Sequence, residues 1–118
     1  MNAFETKAVH AAGLFLDRKG YNVRETGWED PEGAGSVDVI AEDEGALVFI
    51  DVIAEEGADG FPVNNRSRKQ REILAARWLA GADEEVANMP VRFDDISFMV
   101  MGETRALLRH HINALSEA

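Results

Sequence analysis

Two short apolar segments, each interrupted by an aspartate and separated by four residues of turn character, constrain this chain more than anything else in it. Val37-Asp38-Val39-Ile40-Ala41 and Ala46 to Ala54 are rich in β-branched and aromatic residues, the composition of strands. Glu42-Asp43-Glu44-Gly45 between them leaves room only for a tight reversal. The segments therefore pair as an antiparallel hairpin, and any fold for the chain has to be built around that sheet.

The remaining elements follow from periodicity and punctuation. Asn2 with Glu5 three positions on is a capping-box-like start. Phe4, Ala8, Ala11, Ala12, Phe15 and Leu16 then recur at helical spacing until Gly20, which predicts a helix from about Ala3 to Lys19. Tyr21 to Thr26 reads as a short strand, and Glu29 to Gly35 as a loop. Arg66 to Ala80 reads as a helix capped by Asn65 and stopped by Gly81, with Ile73, Leu74, Ala76 and Trp78 or Leu79 facing inward. Val91 to Met101 is a long strand after Pro90. Glu103 to Leu115 carries Leu107, Leu108, Ile112 and Leu115 at a spacing that predicts a terminal helix. The class is α/β, a small mixed β-sheet flanked by helices in the order α-β-β-β-α-β-α. The 118 residues suffice for one domain over 1–118 and leave no room for a second core.

Charge adds a second constraint. The net charge is −10, which by itself disfavours polyanion binding. Its distribution is uneven: residues 25–60 hold twelve acids and no Lys or Arg, while the other 82 carry ten acids and twelve bases. Arg66, Arg68, Lys69, Arg71 and Arg77 follow directly after the acidic stretch. Charge runs of this kind are most simply solvated surface. Cysteine is absent, which excludes disulfides, thiolate chemistry and Cys-based zinc sites. There is no signal-peptide pattern and no apolar run of about 18 residues, so a soluble cytoplasmic protein without a membrane partner is expected.

Asp38 and Asp51 are the candidate chemistry. Carboxylates seldom enter apolar strands without a partner, and two brought together repel unless a hard divalent cation relieves the repulsion. Strand alternation equally allows both to face solvent. His110 and His111 diverge by about 100° on a helix and cannot readily share a metal. His10 and Trp28 read as packing residues, with Trp28 also able to stack on a base or a partner. Gly-rich nucleotide loops, nucleophile elbows and His-Glu-x-x-His signatures are absent, and no organic cofactor is expected.

The chain resembles the YraN-like family of small bacterial proteins, which have the restriction-endonuclease-like fold. The resemblance runs through residues 11–21, Gly35-Ser36-Val37-Asp38-Val39-Ile40-Ala41, Leu47-Val48-Phe49-Ile50-Asp51-Val52, Gly60-Phe61-Pro62, Arg68-Lys69-Gln70-Arg71, Trp78-Leu79, Val91-Arg92-Phe93-Asp94 and His111-Ile112-Asn113-Ala114. It implies a nuclease core in which Asp38 and Asp51 hold Mg2+, or Mn2+ as a substitute, with the main-chain carbonyl of Val52 completing the shell. Phosphodiester hydrolysis would use that metal to neutralise developing charge. The departures fall at the site: Ile53 replaces the motif lysine, Ser36 and Val9 replace accessory glutamates, and Asp51 replaces the longer glutamate. An aliphatic side chain neither orients water nor stabilises an oxyanion. A migrated base is the rescue hypothesis: Lys69, or one of Arg66, Arg68 and Arg71, reaching the site from the following helix, where Gln70 also matches the family.

Two functional classes follow. One is a nucleic-acid-binding or nucleic-acid-processing domain with a degenerate metal site, meeting DNA or RNA through Arg66, Arg68, Lys69 and Arg71. The other is an inactive relative acting as an interaction or regulatory module whose acidic hairpin docks a basic protein. An exposed sheet edge also offers a route to a homodimer.

Overall fold

A computed structural model describes residues 2–57 and 59–115. The elements are α1 (Ala3–Arg18), β1 (Asn22–Glu29), β2 (Ser36–Asp43), β3 (Ala46–Glu56), α2 (Arg68–Ala80), α3 (Glu84–Ala87), β4 (Val91–Met101) and β5 (Arg105–His111). They form one five-stranded mixed sheet in the order β1-β2-β3-β4-β5, antiparallel except for the β3–β4 pair. No helix among the described residues is long and apolar enough to cross a membrane.

Local chemistry explains the boundaries. Asn2 accepts the Glu5 amide at 2.8 Å and starts α1. At the other end Gly20, at φ 98°, lets the Tyr21 amide return to the Leu16 carbonyl and the Gly20 amide to that of Asp17. Those two bonds define a Schellman stop. The β2–β3 hairpin turns through Glu44 and Gly45, both at positive φ and flanked by the pair Asp43↔Ala46. That is the two-residue turn whose twist suits a hairpin. Helix α2 is capped by Ser67, whose hydroxyl accepts the Gln70 amide, two residues later than the Asn65 cap expected.

The sheet has a core on each face. Val9, Ala12 and Leu16 of α1 pack on Val39, Val48, Ile50, Ile96 and Phe98, while Leu74, Ala75 and Val86 pack on Ile40, Leu47 and Phe49. Central β3 is thus covered on both sides, which is why Leu47 to Ile50 is continuously apolar rather than alternating. The inward residues of α2 are Arg71, Leu74 and Ala75; Ile73 and Ala76, expected inside, are exposed. Leu74, Trp78 and Leu79 face this core as expected, and Arg71 joins them for a reason found at the site below.

The C-terminal segment corrects the sequence expectation. Residues 105–111 form an edge strand, not a helix, joined to β4 through a three-residue turn containing Gly102 at φ 72°. The apolar cluster Ala106-Leu107-Leu108 suits either period. Without β5, eleven residues of β4 would have an edge of unpaired N–H and C=O groups. In the strand His110 and His111 point to opposite faces rather than diverging by about 100°.

Candidate carboxylate site

The β3–β4 register sets Asp51 directly beside Asp95, two carboxylates on adjacent parallel strands. Both lie on the face covered by α2, and they would repel if left alone. Arg71, itself only 4% exposed, enters between them. Its Nε donates towards Asp51 Oδ2 at 3.2 Å, its Nη1 to Asp95 Oδ1 at 2.9 Å, and its Nη2 to the Asp94 carbonyl at 2.9 Å. The amide of Asn64 spans the same pair, 2.8 Å from Asp51 Oδ2 and 3.0 Å from Asp95 Oδ1. Arg66 Nη1 donates to Asp51 Oδ1 at 2.9 Å. Both oxygens of Asp51 are therefore engaged by protein donors. Arg71 is inside because this pair needs a cation.

Asp38 has a different environment. The β2–β3 ladder ends at Val39↔Ile50, and the Val52 amide turns to donate to Asp38 Oδ2 at 2.7 Å. Regular alternation fails here: Val37 belongs to the α2-side core and Val39 to the α1-side core. The Asp38 side chain opens into a cleft of about 390 Å³ whose lining includes Glu5, Val9, Ser36, Arg66 and Gln70. Burial pushes its carboxyl above the usual range, with Asp51 and Glu5 adding to that, against the Val52 hydrogen bond and Arg66.

The fate of each candidate residue is thus specific. Asp38, Val52 and Gln70 share the cleft. Asp51 lies in the neighbouring arginine network, and Arg66 belongs to both. Lys69 is exposed in the first turn of α2 and is not among the residues lining the cleft. Val9 is buried where an accessory glutamate was expected, His10 is exposed, and Ile53 shares the face of Asp51 by alternation. Trp28 packs on the edge of the α2-side core. Glu5, Asn64 and Asp95 escaped sequence reasoning. Glu5 precedes Val9 by four positions, hence on the same side of α1, and Asp95 interrupts an apolar strand just as Asp38 and Asp51 do.

The donor set does not fit the divalent cation implied by the resemblance. Arg66 and Arg71 already neutralise the Asp51–Asp95 pair, and a cation brought there would meet like charge. Among the described residues no three carboxylates or imidazoles converge so as to hold a metal.

Residues 9–98 match the uncharacterised protein family UPF0102. The chain belongs to that family. A UPF0102 protein of Roseiflexus castenholzii is 31% identical over 105 residues, covering 86% of this chain and 82% of that protein. One from Rhodopseudomonas palustris is 31% identical over 116 residues, covering 95% and 84%. The UPF0102 match spans both Asp38 and the Asp51–Asp95–Arg71 network and stops three residues before β4 ends.

A second buried carboxylate completes the electrostatics of this UPF0102 protein. Asp94 is fully buried. Its Oδ1 accepts from Arg92 Nε at 3.0 Å and the Asn113 amide at 2.9 Å, while its Oδ2 meets Arg92 Nη2 at 3.1 Å and His110 Nε2 at 2.8 Å. Burial works to raise its carboxyl, yet the His110, Arg92 and Asn113 hydrogen bonds prevail and hold it below the ordinary range. Tyr21 lies against the same group, and burial with the Asp94 charge pushes its hydroxyl up to about 12. Asp94 thereby ties the end of β5 and the following turn to β4.

Proposed function

We propose that this protein is a restriction-endonuclease-like domain that binds nucleic acid without hydrolysing it. The observation that carries the non-hydrolytic reading is the engagement of both Asp51 oxygens by Arg66, Arg71 and Asn64, with Ile53 where a catalytic lysine would stand. Arginine supplies the positive charge that Mg2+ would otherwise bring, but it provides no open coordination position for water.

The nucleic-acid surface moves from α2 to β5 in this reading. Arg66 and Arg71 are tied to Asp51 and Asp95, Arg77 to Asp30 and Glu32, and Arg68 to the Leu115 carbonyl, so α2 offers little free positive charge. Arg105 and Arg109 alternate on one face of β5, are exposed, and form no ion pair among the described residues. Arg109 lies over the Phe61 ring at 5.4 Å, a cation and aromatic pair of the kind that accepts a backbone phosphate and a stacked base.

Fluorescence anisotropy with single-stranded, duplex and branched DNA and with RNA, at low salt, tests the reading. Binding should weaken with salt and be lost in Arg105→Glu/Arg109→Glu, but survive in Lys69→Glu. Thermal shift of the wild type should be indifferent to Mg2+ and Mn2+. Metal-dependent cleavage, or a metal-linked stabilisation lost in Asp38→Ala and Asp51→Ala, would instead favour an intact metal site. One observation favours a second reading, a basic protein partner: Glu44, Glu55, Glu56 and Asp59 are exposed along the hairpin ends without ion pairs among the described residues. Failure of every nucleic acid, with binding of a lysine-rich peptide abolished by Glu55→Lys/Glu56→Lys, would select it.

A further inference from the structure

The Asp94 cluster extends to the surface through His110. His110 Nε2 is 2.8 Å from buried Asp94, and its Nδ1 is 2.9 Å from Lys19 Nζ. The imidazole is held edge-on between Phe15 and Tyr21, with ring centroids at 5.8 and 5.7 Å. Lys19 Nζ also lies over the Phe15 ring at 5.5 Å. An acceptor carboxylate on one ring nitrogen fixes the tautomer: Nε2 carries the hydrogen and Nδ1 presents its lone pair to the lysine. A nucleophile, a base within hydrogen-bond reach and a buried group orienting that base are therefore aligned from solvent to core. Lys19 is exposed, so the outer end of the relay is open to reagent.

We propose that Lys19 is a site of Nε-acylation by small activated acyl donors, acyl phosphates or acyl thioesters, with His110 as the local base. The ammonium first releases one proton to solvent, leaving an amine with an N–H directed at Nδ1. Nζ attacks the acyl carbonyl and forms the N–C bond, and its proton passes to Nδ1. The carbonyl then re-forms as the C–O or C–S bond breaks, the electron pair departing with phosphate or thiolate. The imidazolium, stabilised by Asp94 while it exists, returns its proton to the leaving group. One amide is made, one activated ester is consumed, and nothing is oxidised or reduced. The charged and titratable groups around His110 are Lys19 and Tyr21 at the end of α1, and Asp94 and Arg92 on β4.

The chain contains two other lysines, Lys7 and Lys69, both exposed and therefore internal controls. Acetyl phosphate and an acetyl thioester are applied in separate arms to the intact protein, and the acetylation rate of each lysine is read by peptide mass spectrometry. At neutral pH Lys19 should react about tenfold or more faster than either control in at least one arm, a modest share of what a positioned base contributes. The preference should vanish in His110→Gln, which keeps a polar side chain but removes the imidazole base. Should that variant fail to fold, the rate of Lys19 against Lys7 and Lys69 in the wild type decides alone. Equal rates for the three lysines, or a slower Lys19 because the imidazole merely stabilises the ammonium, would overturn the proposal.

Discussion

Asp38 and Asp51 stand at the same open end of one hairpin, and both interrupt apolar strands, yet their surroundings are opposite. Asp51 faces α2, where Arg66, Arg71 and Asn64 engage both of its oxygens. Asp38 opens into a cleft beside Glu5, with one backbone amide as its hydrogen-bond donor and a carboxyl raised chiefly by burial. A divalent cation shared by the two would make them equivalent. The contrast shows that cation supply in this protein is uneven: Arg66 and Arg71 both reach Asp51, whereas only Arg66 of the two lines the Asp38 cleft, where burial prevails.

The largest expected effect tests the satisfied side. Arg71→Met leaves Asp51 and Asp95 adjacent without their bridging charge and should cost about 3–5 kcal/mol, the range for removing one partner of a buried pair. Urea unfolding measures it, and a loss below about 1 kcal/mol would show a pair screened by water rather than a buried knot.

Asp94→Asn should come next, at about 2–3 kcal/mol, because a neutral amide cannot accept from Arg92, His110 and the Asn113 amide as a carboxylate does. The folded carboxyl lies below its ordinary value of 3.8, so unfolding takes up protons before the folded form does. Its stabilisation is present above about that pH and is lost as pH falls through the folded value. The variant should lack that acid-limb slope in stability measured against pH.

Asp38 should behave in the opposite sense. Its folded carboxyl lies above 3.8, so the folded form binds the proton more readily and stability rises as pH falls through the raised value, levelling off below 3.8. Asp38→Asn should therefore be neutral or stabilising at pH 7 by up to about 1 kcal/mol and should flatten that slope. A destabilised Asp38→Asn would place Asp38 with Asp51 and erase the contrast. The smallest effect belongs to Arg66→Ala. Its side chain is 27% exposed, and after allowance for solvent screening the loss should be about 0.5–1 kcal/mol by thermal shift.

Much of this architecture was readable from residue order. The hairpin and the start and stop of α1 follow from β-branched runs, a tight turn and cap chemistry, all of which act within a few residues. The terminal strand was not readable, because Ala106-Leu107-Leu108 satisfies both periods and the choice rests on the open edge of β4. The buried face of α2 was read correctly at Leu74, Trp78 and Leu79 but missed Arg71, for a related reason. Arg71 counts as surface on any hydropathy pattern, and only the adjacency of Asp51 and Asp95 makes its burial favourable.

The sequence by itself determined the first four strands, most of the turns, the family and the aspartates that interrupt the sheet, since these depend on local propensity and on which residue types are present. Tertiary structure alone decided which cation each aspartate meets. Asn64, Arg66 and Arg71 come from a loop and a helix beyond the hairpin, and His110 from an edge strand that pairs only once β4 is in place. Charge pairing depends on distance in space, and a carboxylate four residues from an arginine in sequence has no advantage over one twenty residues away until the backbone brings them together.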